Sequence, residues 1–202
     1  MTADAPESGV TESGATEPEP GPGAVEAAEP VAPARLVVLR HAKAAWPDVP
    51  DEARPLALRG RRDAPAAGRW LRDCHRIPDL VICSPARRTR ETWELAAAEL
   101  GADPEVRYEP LAYRGGAAEL LELLRRAPEA RRTVLLVGHR PAVQELTLML
   151  MMDRTDEPSA RVREKYPTAA IAVLALPGTW ASLGPAAALL TDFAVPRGDA
   201  AG

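Results

Sequence analysis

Three short polar clusters in this 202-residue chain could act on an anion: Arg40-His41, Ser84-Pro85 with Arg87 and Arg88, and Gly138-His139-Arg140. Two of the chain's three histidines are among them. Neutral imidazole is a nitrogen nucleophile near pH 7, able to displace an alcohol or amine from phosphorus and to carry the phosphoryl group until water removes it. Arginines suit the same reaction. The transferring phosphoryl group spreads negative charge over its equatorial oxygens, and a planar guanidinium binds two of them at once. A second histidine can donate to those oxygens or move protons, and neither a metal nor a cofactor enters this scheme. An Arg-His pair alone proves little, since 23 arginines and three histidines give about 0.3 such dipeptides by chance. Taken singly, each of these residues also reads as a strand-end group satisfying loop backbone. What counts is that every cluster directly follows an apolar run.

Those runs define the elements that must position the clusters. Leu36-Val37-Val38-Leu39 and Leu80-Val81-Ile82-Cys83 are continuous apolar stretches of β-formers, as is the segment 133–137. Each has the mark of a strand buried on both faces of a parallel sheet. Helical patterns follow at 59–72, with Pro65 and Gly68 in its middle, at 87–100 before Gly101, at 117–126 before Pro128, and at 141–151. Further strands are predicted at 106–109, 170–176 and, as an edge, 187–193. This alternation predicts an α/β/α sandwich of three layers with a mostly parallel central sheet. Ligands of such sheets bind beyond the carboxyl ends of the strands, where the three clusters stand.

Composition narrows the setting. Residues 1–34 hold seven acids and no Lys or Arg, with few apolar side chains of any size, and are predicted to be a disordered acidic tail. The remainder carries 25 basic and 22 acidic residues, and its only lysines are Lys43 and Lys165. That mild positive balance suits a phosphate ester and falls short of the basic face of a nucleic-acid binder. With no apolar stretch of 18 residues and no basic-then-apolar start, the chain is expected to be cytoplasmic, without membrane contact. Cys74 and Cys83 lack metal or redox spacing and are expected to be buried, reduced thiols. One domain is expected over 35–196, with a C-terminal tail at 197–202.

The clusters sit within longer motifs: Leu39-Arg40-His41-Ala42-Lys43-Ala44, Arg54-Pro55-Leu56-Ala57-Leu58-Arg59-Gly60, the stretch Ser84-Pro85-Ala86-Arg87-Arg88-Thr89-Arg90-Glu91-Thr92, Val137-Gly138-His139-Arg140-Pro141, and Pro167-Thr168-Ala169-Ala170-Ile171. In this order, across about residues 36–193, they resemble the histidine phosphatase superfamily of phosphoglycerate mutase-like fold, and within it the SixA-type phosphohistidine phosphatases. The resemblance implies that His41 is the nucleophile, that Arg40 and Arg88 hold the phosphoryl oxygens, and that His139 is the second histidine of the phosphate pocket. Arg88 fits the motif spacing better than Arg87, which stays a candidate for the pocket. Ser84 could add a hydroxyl donor or simply shape the turn before Pro85.

Two departures bear on the substrate. Ala42 stands where a glycine usually follows the nucleophile, and Tyr113 stands where mutase-like members place a glutamate as proton donor. Glu109, in the preceding strand, is expected to face solvent. Imidazole leaving from phosphohistidine needs no strong acid once its other nitrogen is protonated, whereas alkoxides do. The loop also lacks the helical insert that covers small substrates in mutase-like members. Phosphohistidine on a protein is therefore the expected substrate, with a small phosphorylated metabolite as the alternative. A non-catalytic phosphate-binding module and an adaptor working through its tail are competing readings, and the oligomeric state is left open. Asp48 and Asp51, between Pro47 and Pro50 or just beyond, read equally as acid-base candidates and as turn residues. Trp46 reads equally as a pocket wall or a substrate contact. Trp70, Trp93 and the methionines 149, 151 and 152 read as core, and His75 as a solvated loop residue.

Overall fold

A computed structural model describes residues 1–2 and 33–199. Of the tail expected at 1–34, residues 3–32 lie outside the described residues, as do the last three residues of the tail expected at 197–202.

The described chain folds as β1 (Ala34–Arg40), α1 (Leu58–Asp73), β2 (Leu80–Cys83), α2 (Arg87–Ala97), β3 (Glu105–Tyr108), α3 (Leu111–Arg114), α4 (Ala117–Arg125), β4 (Thr133–Gly138), α5 (Ala142–Leu150), α6 (Glu157–Glu164), β5 (Ile171–Leu176) and β6 (Leu189–Ala194). The six strands form one sheet in the order β3-β2-β4-β1-β5-β6. Alternation along β1 shows why its run is apolar throughout. Leu36 and Val38 join one buried cluster with side chains of α4, α5 and α6, while Val37 and Leu39 join another with Ala67 and Leu71 of α1 and Trp93 of α2. Full burial of each such side chain stabilises by roughly 1.5–3 kcal/mol. Neither face of β1 is left for solvent, so the sheet is the middle of three layers.

The pairings β1–β4, β2–β4 and β2–β3 are parallel, as expected for strands joined by helices, but β5 runs antiparallel to β1. Its direction follows from where the chain enters: Ile171 pairs with Leu39 at the carboxyl end of β1, so β5 can only run back. β6 pairs antiparallel with β5 at the sheet edge. The helix α6 was not legible in the sequence because it buries only Ser159 and Val162, too few residues to give a period; Asp156 caps it by accepting from the Ser159 N–H at 3.1 Å.

Pro65 and Gly68 do not interrupt α1. A Cβ at Gly68 would overlap the backbone of Ala96, so this glycine lets α1 and α2 touch. Ala34, assigned to the tail by composition, already pairs in β1, and Arg197, expected beyond the domain, donates to Asp63 Oδ2 at 2.8 Å and to the Thr168 carbonyl at 3.0 Å. Cys83 is a buried free thiol, but Cys74, expected buried, is only half-buried at the end of α1. Met151 is buried, while Met152 is exposed just past α5 rather than in the core. His75 is exposed, as read from the sequence. Among the described residues no helix is long and apolar enough to cross a membrane.

Candidate active site

Strand register brings the three clusters together. Arg40 pairs with Gly138 across β1 and β4, and Cys83 pairs with Val137 across β2 and β4. The His41 N–H continues one ladder to the Gly138 carbonyl at 3.0 Å, and the Ser84 N–H the other to the Val137 carbonyl at 3.0 Å. Because β4 lies between β2 and β1, both histidines and Ser84 emerge at one sheet edge, and the His41 and His139 ring centroids are 5.1 Å apart.

His41 is buried at 9% exposure. Its Nδ1 lies 2.7 Å from the Ala42 carbonyl, and since a carbonyl only accepts, Nδ1 carries the proton and Nε2 keeps its lone pair. Burial, reinforced by the positive charges of Arg88, Arg40 and Arg54 and opposed by the Ala42 bond, pushes the imidazole down to about 3. A neutral ring with a free Nε2 can act as a nucleophile. The loop behind it is pinned: the Ala42 N–H donates to Thr92 Oγ1 at 3.0 Å, and Thr92, one turn beyond Arg88 on α2, donates to the Arg88 carbonyl at 2.6 Å. The methyl of Ala42 packs with Leu56, Ala64 and Ala169, so the departure from glycine fills an apolar contact. A Cβ at Gly60 would overlap the Lys43 carbonyl, which explains the glycine that closes the Arg54–Gly60 motif.

His139 is pushed down to about 3 as well, by burial first and then by His41 and Arg88. Its Nε2 is 2.8 Å from Ser84 Oγ, while its Nδ1 is buried with no partner. The Ser84 hydroxyl, a candidate phosphate donor in the sequence, is thus hydrogen-bonded to the His139 ring. Arg40 donates through Nη1 to the Tyr166 carbonyl at 2.8 Å, and its Nε is buried without a partner. A buried donor left unpaired at the cost of its hydration, as Arg40 Nε is, suits a place that receives an anion. Arg87 and Arg88, adjacent in sequence, part company by helix phase. Arg88 is buried in the cluster, whereas Arg87, half exposed, pairs with Glu91 at 2.7 Å, one turn along α2, and lines an open cavity with Pro50, Glu52, Ala53 and Pro85.

The sequence left Asp51 undecided, and the structure gives it partners. It opens a short 3-10 turn (Asp51–Ala53), where Arg88 donates to its carbonyl at 2.6 Å and to Oδ2 at 2.9 Å. Arg54 donates to Oδ1 at 2.8 Å, and the Tyr113 hydroxyl to Oδ2 at 3.0 Å. Burial would raise this carboxyl, but the bonds from Arg54, Tyr113 and Arg88 outweigh it and hold Asp51 at about 2. Tyr113 meets His139 edge-on with centroids 5.4 Å apart, and Arg54 lies 3.2 Å over the exposed ring of Trp46. Asp48 makes no comparable set of contacts and sits in an exposed bend. Glu109, expected to face solvent, is partly buried and lines a separate cavity with Ile82, Leu111 and Leu123. Arg54, Thr92 and Tyr113 carry roles that residue types did not disclose. The signal for Arg54 and Asp51 was their three-residue spacing, which reads as a turn until Arg88 is brought beside it.

Keeping both histidines neutral ties stability to pH. Their ordinary value is 6.5 and their folded values are about 3, so the unfolded chain takes protons first and acid favours unfolding. Their contribution is complete above pH 6.5 and is lost as pH falls toward 3. Asp51 and Glu91 are held below their ordinary values and add to this loss only at lower pH, below about 4.5. The melting temperature is expected to drop between pH 6.5 and 5, with a shallower slope in His41→Ala; a flat wild-type profile would contradict the neutral pair.

Paired strand ends presenting two neutral imidazoles and buried arginines define a phosphate-handling α/β protein. The profile of the histidine phosphatase superfamily, branch 1, matches residues 36–112. An uncharacterized protein of Mycobacterium tuberculosis is 41% identical over 162 residues, covering 79% of this chain and all of that relative. A solved structure from Nakamurella multipartitia, provisionally assigned as a phosphohistidine phosphatase SixA, is 35% identical with a TM-score of 0.73, covering 83% of this chain and 99% of that one. Another with the same provisional assignment, from Agrobacterium tumefaciens, is 29% identical with a TM-score of 0.68, covering 81% and 99%. The chain belongs to the histidine phosphatase superfamily.

Proposed function

We propose that the protein is a metal-independent phosphatase that removes phosphate from phosphohistidine on a protein, through a phosphohistidine intermediate on His41. The observation that carries this reading is the His41 ring itself: Nδ1 is committed to the Ala42 carbonyl, so Nε2 offers its lone pair beside Arg88 and His139. In the first step Nε2 bonds to phosphorus as the bond to the leaving nitrogen breaks. In the second, water displaces phosphate from His41. Arg40, Arg88 and His139 take the equatorial oxygens, where charge grows most in the transition state.

Two features favour a phosphohistidine protein over a small metabolite. The β3–α4 connection carries Tyr113 and only the four-residue α3, so among the described residues this connection adds no insert over the pocket. The solved relatives from Nakamurella and Agrobacterium bear a phosphohistidine phosphatase assignment, which agrees with that openness. Turnover of a phosphohistidine peptide, 3-phosphoglycerate and a sugar phosphate, each measured with and without EDTA, tests the reading. Peptide turnover is expected to be fastest and indifferent to EDTA. Faster turnover of the metabolites would overturn the substrate, and loss of activity in EDTA would overturn metal independence.

A further inference from the structure

Resting on that reading, we infer that Asp51 is a specificity-determining residue, its carboxylate accepting the ring N–H of a protonated phosphohistidine on the leaving side of phosphorus. Displacement at phosphorus runs roughly in line, so the leaving nitrogen stands across phosphorus from His41 Nε2. His41 is buried, so a phosphoryl donor reaches it from the solvent side, and the Asp51 side chain, 52% exposed while bonded to Arg88, is open to that same solvent. Asp51 Oδ2 is one guanidinium away from the phosphoryl site, bonded to the same Arg88 that is to hold the oxygens. Tyr113 adds the second constraint: its hydroxyl fixes Oδ2 at 3.0 Å while its ring edge rests on His139.

This carboxylate comes from a different loop than the acid of mutase-like relatives and does a different job. Held by three donors, it stays ionised at neutral pH and has no proton to deliver to an alkoxide. It suits a leaving group that arrives with a positive charge. Phosphohistidine protonated on the nitrogen distal to phosphorus is such a group. When its P–N bond breaks, the bonding pair stays on the leaving nitrogen, His41 Nε2 supplies the pair for the new bond, and imidazole departs neutral with its distal N–H still donating to Asp51. No proton has to move in that step. A leaving group bearing its own carboxylate, such as phosphoglycerate, meets like charge at the same place.

The discriminating quantity is the ratio of kcat/KM for a phosphohistidine peptide to that for 3-phosphoglycerate. Removing the charge also releases Arg88 and so alters the binding of every phosphate, an effect the ratio cancels. In Asp51→Asn the ratio is expected to fall at least about tenfold, the scale of one hydrogen bond to a charged group. Asp51→Glu, which restores the charge, is expected to recover most of it. An unchanged ratio in Asp51→Asn, whether both rates rise or both fall, would reduce Asp51 to a clasp for Arg88 and overturn the inference. Failure of the underlying reading shows separately, in wild-type protein that prefers phosphoglycerate before any substitution is made.

Discussion

Replacing His41 by alanine is expected to lower the hydrolysis of an aryl phosphate by roughly 10³–10⁵-fold, the scale on which an activated nucleophile acts with its surroundings intact. The arginines and His139 remain in the variant, so phosphate should still bind with the ring gone. Wild-type protein quenched during turnover should carry acid-labile, alkali-stable phosphate on one histidine, and His41→Ala should carry none. Equal rates in the two proteins, or undiminished labelling, would remove His41 from the role. The substitution frees the Ala42 carbonyl of its partner but also removes a ring that must stay uncharged in the fold. The same variant is therefore expected to be the less acid-sensitive of the two, which separates lost chemistry from lost folding.

Arg88→Ala is expected to cost about 10²–10³ in kcat, the range seen when one preorganised donor to a developing charge is removed. Lysine at this position restores the charge but not the planar fork and is expected to recover little. The control is its neighbour. Arg87 lies against Glu91, so Arg87→Ala should change kcat by less than about threefold, as a surface pair of this kind contributes little. A large effect at Arg87 with none at Arg88 would exchange the two roles. Arg88 also holds Asp51, and its loss should loosen the 3-10 turn that carries that carboxylate. Part of the fall could then arise through Asp51. A double variant with Asp51→Asn measures that share, because residues in one network do not contribute additively.

Much of this was legible in the chain. Apolar runs of four or five residues, each followed within two positions by an arginine, histidine or serine, fixed the strands, the layers and the edge at which chemistry had to occur. The reason is physical: a strand buried on both faces has no alternation to hide, and its first polar residue marks where it leaves the core. His41, His139 and the arginine pair could be named on that basis alone. The direction of β5 could not, because an apolar run reads the same in either orientation and only its pairing with β1 decides. Helix α6 escaped for the opposite reason, having almost no apolar face.

What residue types pointed to was the kind of chemistry proposed above: nucleophilic imidazole with guanidinium support. Tertiary structure decided which of those groups are brought together. Arg87 and Arg88 are indistinguishable by type, and about 100° of helix phase sends one to Glu91 and the other to Asp51 and Tyr113. Ser84 meets His139 because β2 lies beside β4, an order that chain position does not contain. Asp51 read as a turn residue. It became a candidate for substrate choice only when Arg88 and Tyr113, from two other elements, closed on the same carboxylate oxygen.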